Sequence, residues 1–480
     1  MTRIAILGSG ASAVVAADFI LKQSDSYQVT IIDFAGMNHE ISSSLEVGSS
    51  IKPSASAHLF EIPEIFNVHS PTGTIRGTSA HGGWAESWGA TIVPFSDEEI
   101  LLNGMSPDEY KIGARRIRSF WQAGGLGYQK AHLRTLPKLF QNKQNIKNKY
   151  VSQVRPSELA IKAFDEDINV ACNQCGECLF GCPQNHIFKP SSIWPRILNG
   201  QNVRTLSQVW IERVSESGSG IVVELRSASN TSSREEFDFI FCGLGAIQTA
   251  GLLVRSGISE KVLIKDSQLV VVPFIDPLLR RTGTTQTRIG LSELFVFGRA
   301  PLFKGAIYCQ LYGSSKSLTN TIIGQVPLLK LFPTRVVAAL LSRVGISMQF
   351  LDSNQSGQIE IKMKGGAIEV TGLPASKPRF ILKMLPGFIL FKLHLIPLSL
   401  FARVYKVGDG YHFGSSFPFG GSSCGNSSDK LGRPNAMKRF SIIDSSVLNT
   451  ITARPNTFNS MVRASVTVDR VLSSGILEES

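Results

Sequence analysis

The stretch RIAILGSGASAVVAADFILKQ, residues 3–23, constrains the chain more than any other. A short apolar run, IAIL, reads as a buried strand. A glycine turn and an amphipathic helix follow it directly. The turn holds Gly8, Gly10 and Ala13 in a G-x-G-x-x-A form. The first glycine permits the tight turn and the second lets a pyrophosphate approach the backbone. The third, small residue lets helix and strand pack closely. Backbone N–H groups at the helix start then face the phosphates. The next strand, VTIIDFA at 29–35, contains Asp33, about 20 residues further on, where an acid binds ribose hydroxyls. Alone the glycine pattern is weak. Strand, turn, helix and acid together specify a dinucleotide site in an α/β fold.

At 480 residues the chain is too long for one hydrophobic core. With 43% hydrophobic and 18% charged residues it reads as globular. The strand pattern starts at Arg3, which leaves no room for a secretory signal ahead of it. Four of its seven cysteines cluster at 172–182, which is a poor match to a disulfide framework. The chain is therefore read as cytoplasmic. Its net charge is +12, and from Leu373 to Lys406 there is no Asp or Glu. That window combines Lys377, Arg379, Lys383, Lys392, Arg403 and Lys406 with a very apolar sequence. Pro378, Pro386 and Pro397 break it into pieces too short to span a bilayer. It suits the surface of an anionic membrane, which would make the protein peripheral there. The plainer reading is a buried segment whose lysines snorkel to water. Nucleic acid is a poor fit, because Leu, Ile and Phe rather than stacking platforms interleave the basic residues.

Farther along, SDEEI and SPDEYKIGARRIRSFWQAGG read as helices, and VWIERV and GIVVELRS as strands. FDFIFCGLGAIQTAGLLVRSG is a buried strand entering a helix. Residues 334–345 read as a helix capped by Thr334 and stopped at Gly345. FSIIDSSVLNT returns to strand, and TFNSMVRASVTVDRVL is a final helix.

Three stretches share an order that resembles the glucose–methanol–choline (GMC) flavoprotein oxidoreductases. They are HGGWAESWGA at 81–90, FIFCGLGAIQTAGLLVRSG at 239–257, and GYHFGSSFPFG with SDKLGRPNAMKRFSIIDSSVLNTITARPNTFNSMVRA between 410 and 464. The resemblance implies FAD and the oxidation of an alcohol by hydride transfer to the flavin. It implies a Rossmann-like FAD domain assembled from separated segments, 1–100, 165–260 and 405–480. A helical and loop part, 101–164, would cover the flavin. An α+β substrate domain with a mixed or antiparallel sheet would occupy 261–404.

Carried onto this sequence, Gly82 and Gly83 match the glycine pair that lies along FAD. Val209 matches a backbone contact to adenine. Gly245 and Ala246 match the turn near the adenosine half. Asp444 matches an aspartate near the diphosphate or ribityl chain, and Thr457 and Phe458 are expected close to the isoalloxazine. His412 stands at the family's catalytic histidine, and Asn456 at the second catalytic position, which is Asn in sterol-oxidising members. The chemistry supports both assignments independently. Alcohol oxidation needs a group that takes the hydroxyl proton, and neutral imidazole suits that task. An amide can donate to and orient the oxygen but does not titrate. The plainer readings are a core histidine in a Gly/Phe-rich loop and an asparagine capping the last helix. His81, beside the glycine pair, is a weaker rival base.

Cys172, Cys175, Cys178 and Cys182 follow the C-x2-C-x2-C-x3-C-P spacing of bacterial ferredoxins. One iron–sulfur cluster, a zinc site, or thiols and disulfides without metal all remain open. The expected partners are a small-molecule alcohol or lipid-linked substrate and an electron acceptor, namely a quinone, a redox protein or oxygen. The alternative from another class is a flavin-containing, and with a cluster iron–sulfur-containing, electron-transfer protein, or a reductase, that oxidises no alcohol.

Overall fold

The structure, a computed structural model, describes residues 1–35, 68–69, 75, 77–123, 128–130, 143, 146–161, 178, 182, 185–227, 229–277, 290–301, 305–313, 331–341, 344–375, 379–421, 425–435 and 437–477. Cys172 and Cys175 lie outside them.

The apolar run that opens the chain forms β1 (Thr2–Leu7) and passes through the glycine turn into α1 (Ala11–Gln23). β2 (Tyr27–Asp33) ends on the predicted acid. With β3 (Val203–Ser207), β4 (Phe239–Cys242) and the strand Phe440–Ile442 these form a parallel five-stranded sheet. β1 lies at its centre, between β4 and β2. Its core side chains Ile4, Ala5, Ile6 and Leu7 are fully buried, as expected for a parallel strand covered on both faces. α2 (Ala246–Arg255) follows β4 as α1 follows β1, so two glycine turns, at 8–10 and 243–245, lie at the same end of the sheet. The FAD-type domain is thus a Rossmann-like sheet built from separated parts of the chain.

Against it stands a seven-stranded sheet whose described pairs are all antiparallel. Its long central members are β5 (Leu269–Ile275) and β6 (Val344–Leu351), flanked by Ile307–Tyr312 and Leu294–Gly298. The strand Val151–Pro156, from the segment read as a flavin cover, pairs with Leu294–Gly298 and so joins this sheet. A further sheet joins Lys261–Asp266 to Gln358–Lys364, Ala367–Leu373 and the two-residue strand Phe413–Gly414. The described residues thus combine a parallel α/β sheet with sheets dominated by antiparallel pairing, as the α/β fold with an antiparallel substrate part requires.

Both early helices start on capping boxes: Ser96 with Glu99, and Ser106 with Glu109. One helix needs correcting. α3 spans Thr334–Leu341, and Gly345 is not its stop but a residue inside β6. A Cβ on Gly345 would lie 2.3 Å from the Phe274 ring of β5, so the glycine serves close strand packing. Among the described residues no helix is long and apolar enough to cross a membrane.

Candidate functional site

The glycine turns of the parallel sheet open into an elongated, solvent-connected cleft. Gly8, Ser9, Gly10, Asp33, Gly83, Gly243, Gly245, Ala246, Asp444, Asn456 and Thr457 are among its lining residues. Gly8 has φ +93°, and a Cβ there would lie 2.8 Å from the Gly243 carbonyl. Gly10 caps α1 without a side chain, leaving the first amides of the helix bare toward the cavity. The loop at 80–83 closes over this turn: Gly82 N–H donates to Ser9 Oγ at 2.9 Å, and a Cβ on Gly83 would lie 3.4 Å from Gly10 Cα. Ala13 stays out of the lining; its methyl packs against Gly243, where any larger residue would push α1 off the sheet.

Asp33 lines the cavity, and its Oδ2 is buried with no hydrogen-bond partner. His81 Nδ1, also buried and without one, lies 3.8 Å away. A buried carboxylate oxygen without a partner is costly, and ribose hydroxyls would satisfy it. Bare helix amides, glycine cradles and this orphaned oxygen fit an adenine dinucleotide such as FAD.

Asp444 has a different part. It accepts from Gly245 N (2.9 Å), Thr249 Oγ1 (2.6 Å) and Ser446 N (2.8 Å), which ties the C-terminal segment to the β4–α2 turn. Burial pushes its carboxyl up despite these donors. Gly82, within the 80–83 loop, does not line the cavity; a Cβ on it would run into Glu86, a buried carboxylate that accepts from Ser191 N and Oγ at 2.9 and 2.7 Å. Burial raises Glu86 also, against those donors. Phe458 is fully buried against Trp121, with ring centroids 5.8 Å apart. Val209 heads the strand Val209–Glu216 and packs on the core behind the sheet. Neither lines the cavity.

His412 lies between Tyr411 and Phe413, which do line it. The Phe413–Gly414 strand pairs with Lys265 and Asp266, and the His412 carbonyl accepts from Ser267 N at 2.9 Å, so the loop is anchored on both sides. Tyr411 and Ser415 both have positive φ, +64° and +57°, an unfavourable backbone for side-chain-bearing residues that recurs at functional sites. The His412 ring stacks on Phe350 of β6 at 4.3 Å, and its Nδ1 is buried without a partner. Burial lowers its pKa to about 4, so the imidazole is neutral at ordinary pH. Asn456, the first residue of the C-terminal helix Asn456–Ser473, does not cap it. Its amide instead donates to the Phe413 carbonyl at 3.3 Å, which brings both residues of the expected catalytic pair to one end of the cavity.

Behind Tyr411 and His412 stands an apolar aromatic cluster that does not itself line the cavity. Phe295, Phe297, Tyr308 and Phe350 form one cluster with Met348 and Val271 at its edge. Trp84 meets Tyr411 edge-on at 5.3 Å. Sequence reading missed this wall. Only Trp84 and Tyr411 carried a signal, by lying inside stretches already singled out.

Of the cysteine run, Cys178 and Cys182 are buried in the main core, and His186 N–H donates to Cys182 Sγ at 3.4 Å. Among the described residues no group of three or more His, Cys, Asp or Glu side chains is placed to hold a metal. An iron–sulfur cluster finds no support in the comparisons either.

Residues 132–273 match the model of the family described as GMC oxidoreductase. A solved structure, pyridoxine 4-oxidase from Mesorbium loti, is similar along the whole length: TM-score 0.63 over 98% of this chain and 99% of that one, at 13% identity. At that identity the likeness concerns the fold. No curated protein sequence matches. The family match falls on the segment that supplies β3, β4 and the second glycine turn of the cavity, and together with the shared fold it supports an FAD-dependent oxidoreductase of the GMC type.

Proposed function

We propose that the protein oxidises the CH–OH group of an apolar alcohol. His412 takes the hydroxyl proton and Asn456 orients the oxygen. Bound FAD supplies the hydride acceptor; Gly8, Gly10, Asp33, Gly83, Gly245 and Thr457 are the lining residues that would hold it. The observation that carries the reading is the imidazole of His412. It is neutral, its Nδ1 has no partner, and it stands between the lining residues Tyr411 and Phe413, stacked on Phe350. A base must be unprotonated before it can accept a proton, and burial against Phe350 achieves this down to about pH 4. The Asn456 amide, already bonded to the Phe413 carbonyl, has its oxygen and second N–H left for substrate.

The aromatic cluster of Phe295, Phe297, Tyr308 and Phe350 behind His412 and Tyr411 supports a lipid, a sterol or a lipid-linked sugar over a free sugar. A polar substrate would leave its hydroxyls unpaired against these rings, at a cost of roughly 1–3 kcal/mol each. Reoxidation then falls to oxygen, a quinone or a redox protein.

Anaerobic stopped-flow absorbance tests the assignment with a panel of long-chain alcohols and a sterol. Wild-type flavin is bleached by at least one of them. His412→Ala keeps its flavin and loses about 10²–10⁴-fold in the bleaching rate. If the variant is bleached as fast as wild type, His412 is not the base. If no alcohol bleaches the wild type while a reduced redox partner does, the protein is an electron carrier.

A further inference from the structure

We propose that the face built from α4 (Arg379–Lys392), the segment 396–401 and the start of α3 docks on the surface of an anionic lipid bilayer. Among the described residues, thirteen large apolar side chains are exposed, and eight of them come from 331–336 and 384–401. Leu400 is 81% exposed, Leu331 78%, Phe401 68% and Phe391 63%. Scattered exposed apolar residues need no explanation, but a concentration of this kind does.

The two segments meet at one end of β5. Ile396 pairs with Ile275, and Ile275 pairs with Val344 on its other side. Val337 and Leu341 of α3 pack on Ile275 and Val344. Lys383 Nζ donates to the Leu400 carbonyl at 2.5 Å and fastens the 399–401 turn to α4. The protruding side chains thus stand on a braced platform.

Charge selects the occupant. No acid occurs from Leu373 to Lys406. Lys383, Lys392 and Arg403 form no ion pair among the described residues. The Lys392 ammonium instead lies 5.1 Å from the Phe388 ring centroid and 5.4 Å from that of Tyr150. Cations without an ion-pair partner among the described residues, set among apolar side chains that stand clear of the protein, match phosphate headgroups above acyl chains. α4 is 14 residues long and contains Pro386, so it lies on a bilayer and does not cross it.

β5 links this face to the site. Its far end, Leu269, pairs with Phe350, the residue stacked on His412. The strand's length, about 20 Å, separates the two. β5 thus ties the bilayer face to the strand pair that carries Phe350; a role for this face in presenting alcohol to the enzyme rests on the alcohol-oxidising reading, whereas bilayer binding does not.

Co-sedimentation of the flavin-loaded protein with vesicles tests the surface. Phosphatidylcholine vesicles containing phosphatidylserine should bind it, phosphatidylcholine alone should not, and high salt should release it. The double variant Leu400→Asp/Phe401→Asp should lose about tenfold or more in bound fraction with flavin content and melting temperature unchanged. Leu101→Asp/Leu102→Asp, an exposed apolar pair elsewhere, should bind as wild type. Three results would overturn the proposal: no binding to anionic vesicles, equal loss in both double variants, or a wild-type dimer in solution that only Leu400→Asp/Phe401→Asp dissolves. Bleaching by a soluble alcohol reports the catalytic reading separately.

Discussion

The cavity has a glycine floor, and behind its His412 end an aromatic cluster serves as a roof; the two are held by opposite means. The floor is backbone. Gly8 N–H donates to Ile32 O at 2.8 Å, Gly243 N–H to Leu7 O at 2.9 Å, and Gly82 N–H to Ser9 Oγ at 2.9 Å. The roof is side chain: Phe297 and Tyr308 stand 5.0 Å apart, and Phe350 and His412 4.3 Å. At Gly8, with positive φ and the Gly243 carbonyl against it, the floor tolerates no added Cβ. A roof made of rings tolerates exchange of one apolar group for another at modest cost. The cofactor side is therefore geometrically fixed, while the substrate side can vary without refolding.

The sharpest break of that contrast is Gly8→Val. Its branched side chain would meet the Gly243 carbonyl, already 2.8 Å from the first Cβ, on a backbone at φ +93°. We expect purified Gly8→Val to carry no FAD, read as loss of flavin absorbance, even when refolded with excess FAD. A variant that retains flavin would show that the turn is not where the pyrophosphate lies. Phe350→Leu probes the roof and should be milder. It should keep FAD and cost about 1 kcal/mol of stability.

The larger effect of Phe350→Leu is on pH. In the native protein His412 has a pKa of about 4 against 6.5 for a free imidazole, and burial is the cause. The neutral form therefore contributes stability in full above pH 6.5, and this is lost as pH falls through about 4. Thinning the ring cover lets water reach the imidazole and moves its pKa up toward 6.5. The acid limb of substrate-driven flavin bleaching, near pH 4 in wild type, should rise with it. An unchanged limb would mean that Phe350 does not shield the base.

The same contrast explains what could be read in the sequence. The floor was legible because its demands are local: glycine for positive φ, a small residue at Ala13, an acid closing β2. The last 70 residues were legible for the same reason, since Asp444, Asn456 and Thr457 reach the cavity from short consecutive elements. The roof was not, because Phe350 meets His412 only through the pairing of β5 with β6 and of Asp266 with Phe413. No spacing along the chain records those registers. Gly345 was misread likewise: a glycine after an apolar helix looks like a stop unless the Phe274 ring across the ladder is known.

The smallest expected effect lies outside both walls and asks whether the floor stands alone. The C-terminal helix begins in the cavity with Asn456 and Thr457 and is braced farther along by Arg470. Arg470 Nε and Nη2 grip the two oxygens of Glu109 at 2.8 and 2.9 Å. Burial alone would raise Glu109, but this fork and the Ser106 amide bring its pKa down to about 2. A depressed carboxylate stabilises the fold above its unfolded value of 4.5, and the contribution fades as pH falls through about 2. Because the pair is partly open to solvent, Glu109→Gln should cost only about 1 kcal/mol at neutral pH. The melting-temperature gap between wild type and variant should narrow steadily below pH 4.5. Flavin content should not change, since the glycine turns hold the cofactor without help from the helix's far end. If Glu109→Gln instead sheds FAD, the floor depends on the brace, and the cofactor is held by the tertiary set of the last helix as much as by the turns.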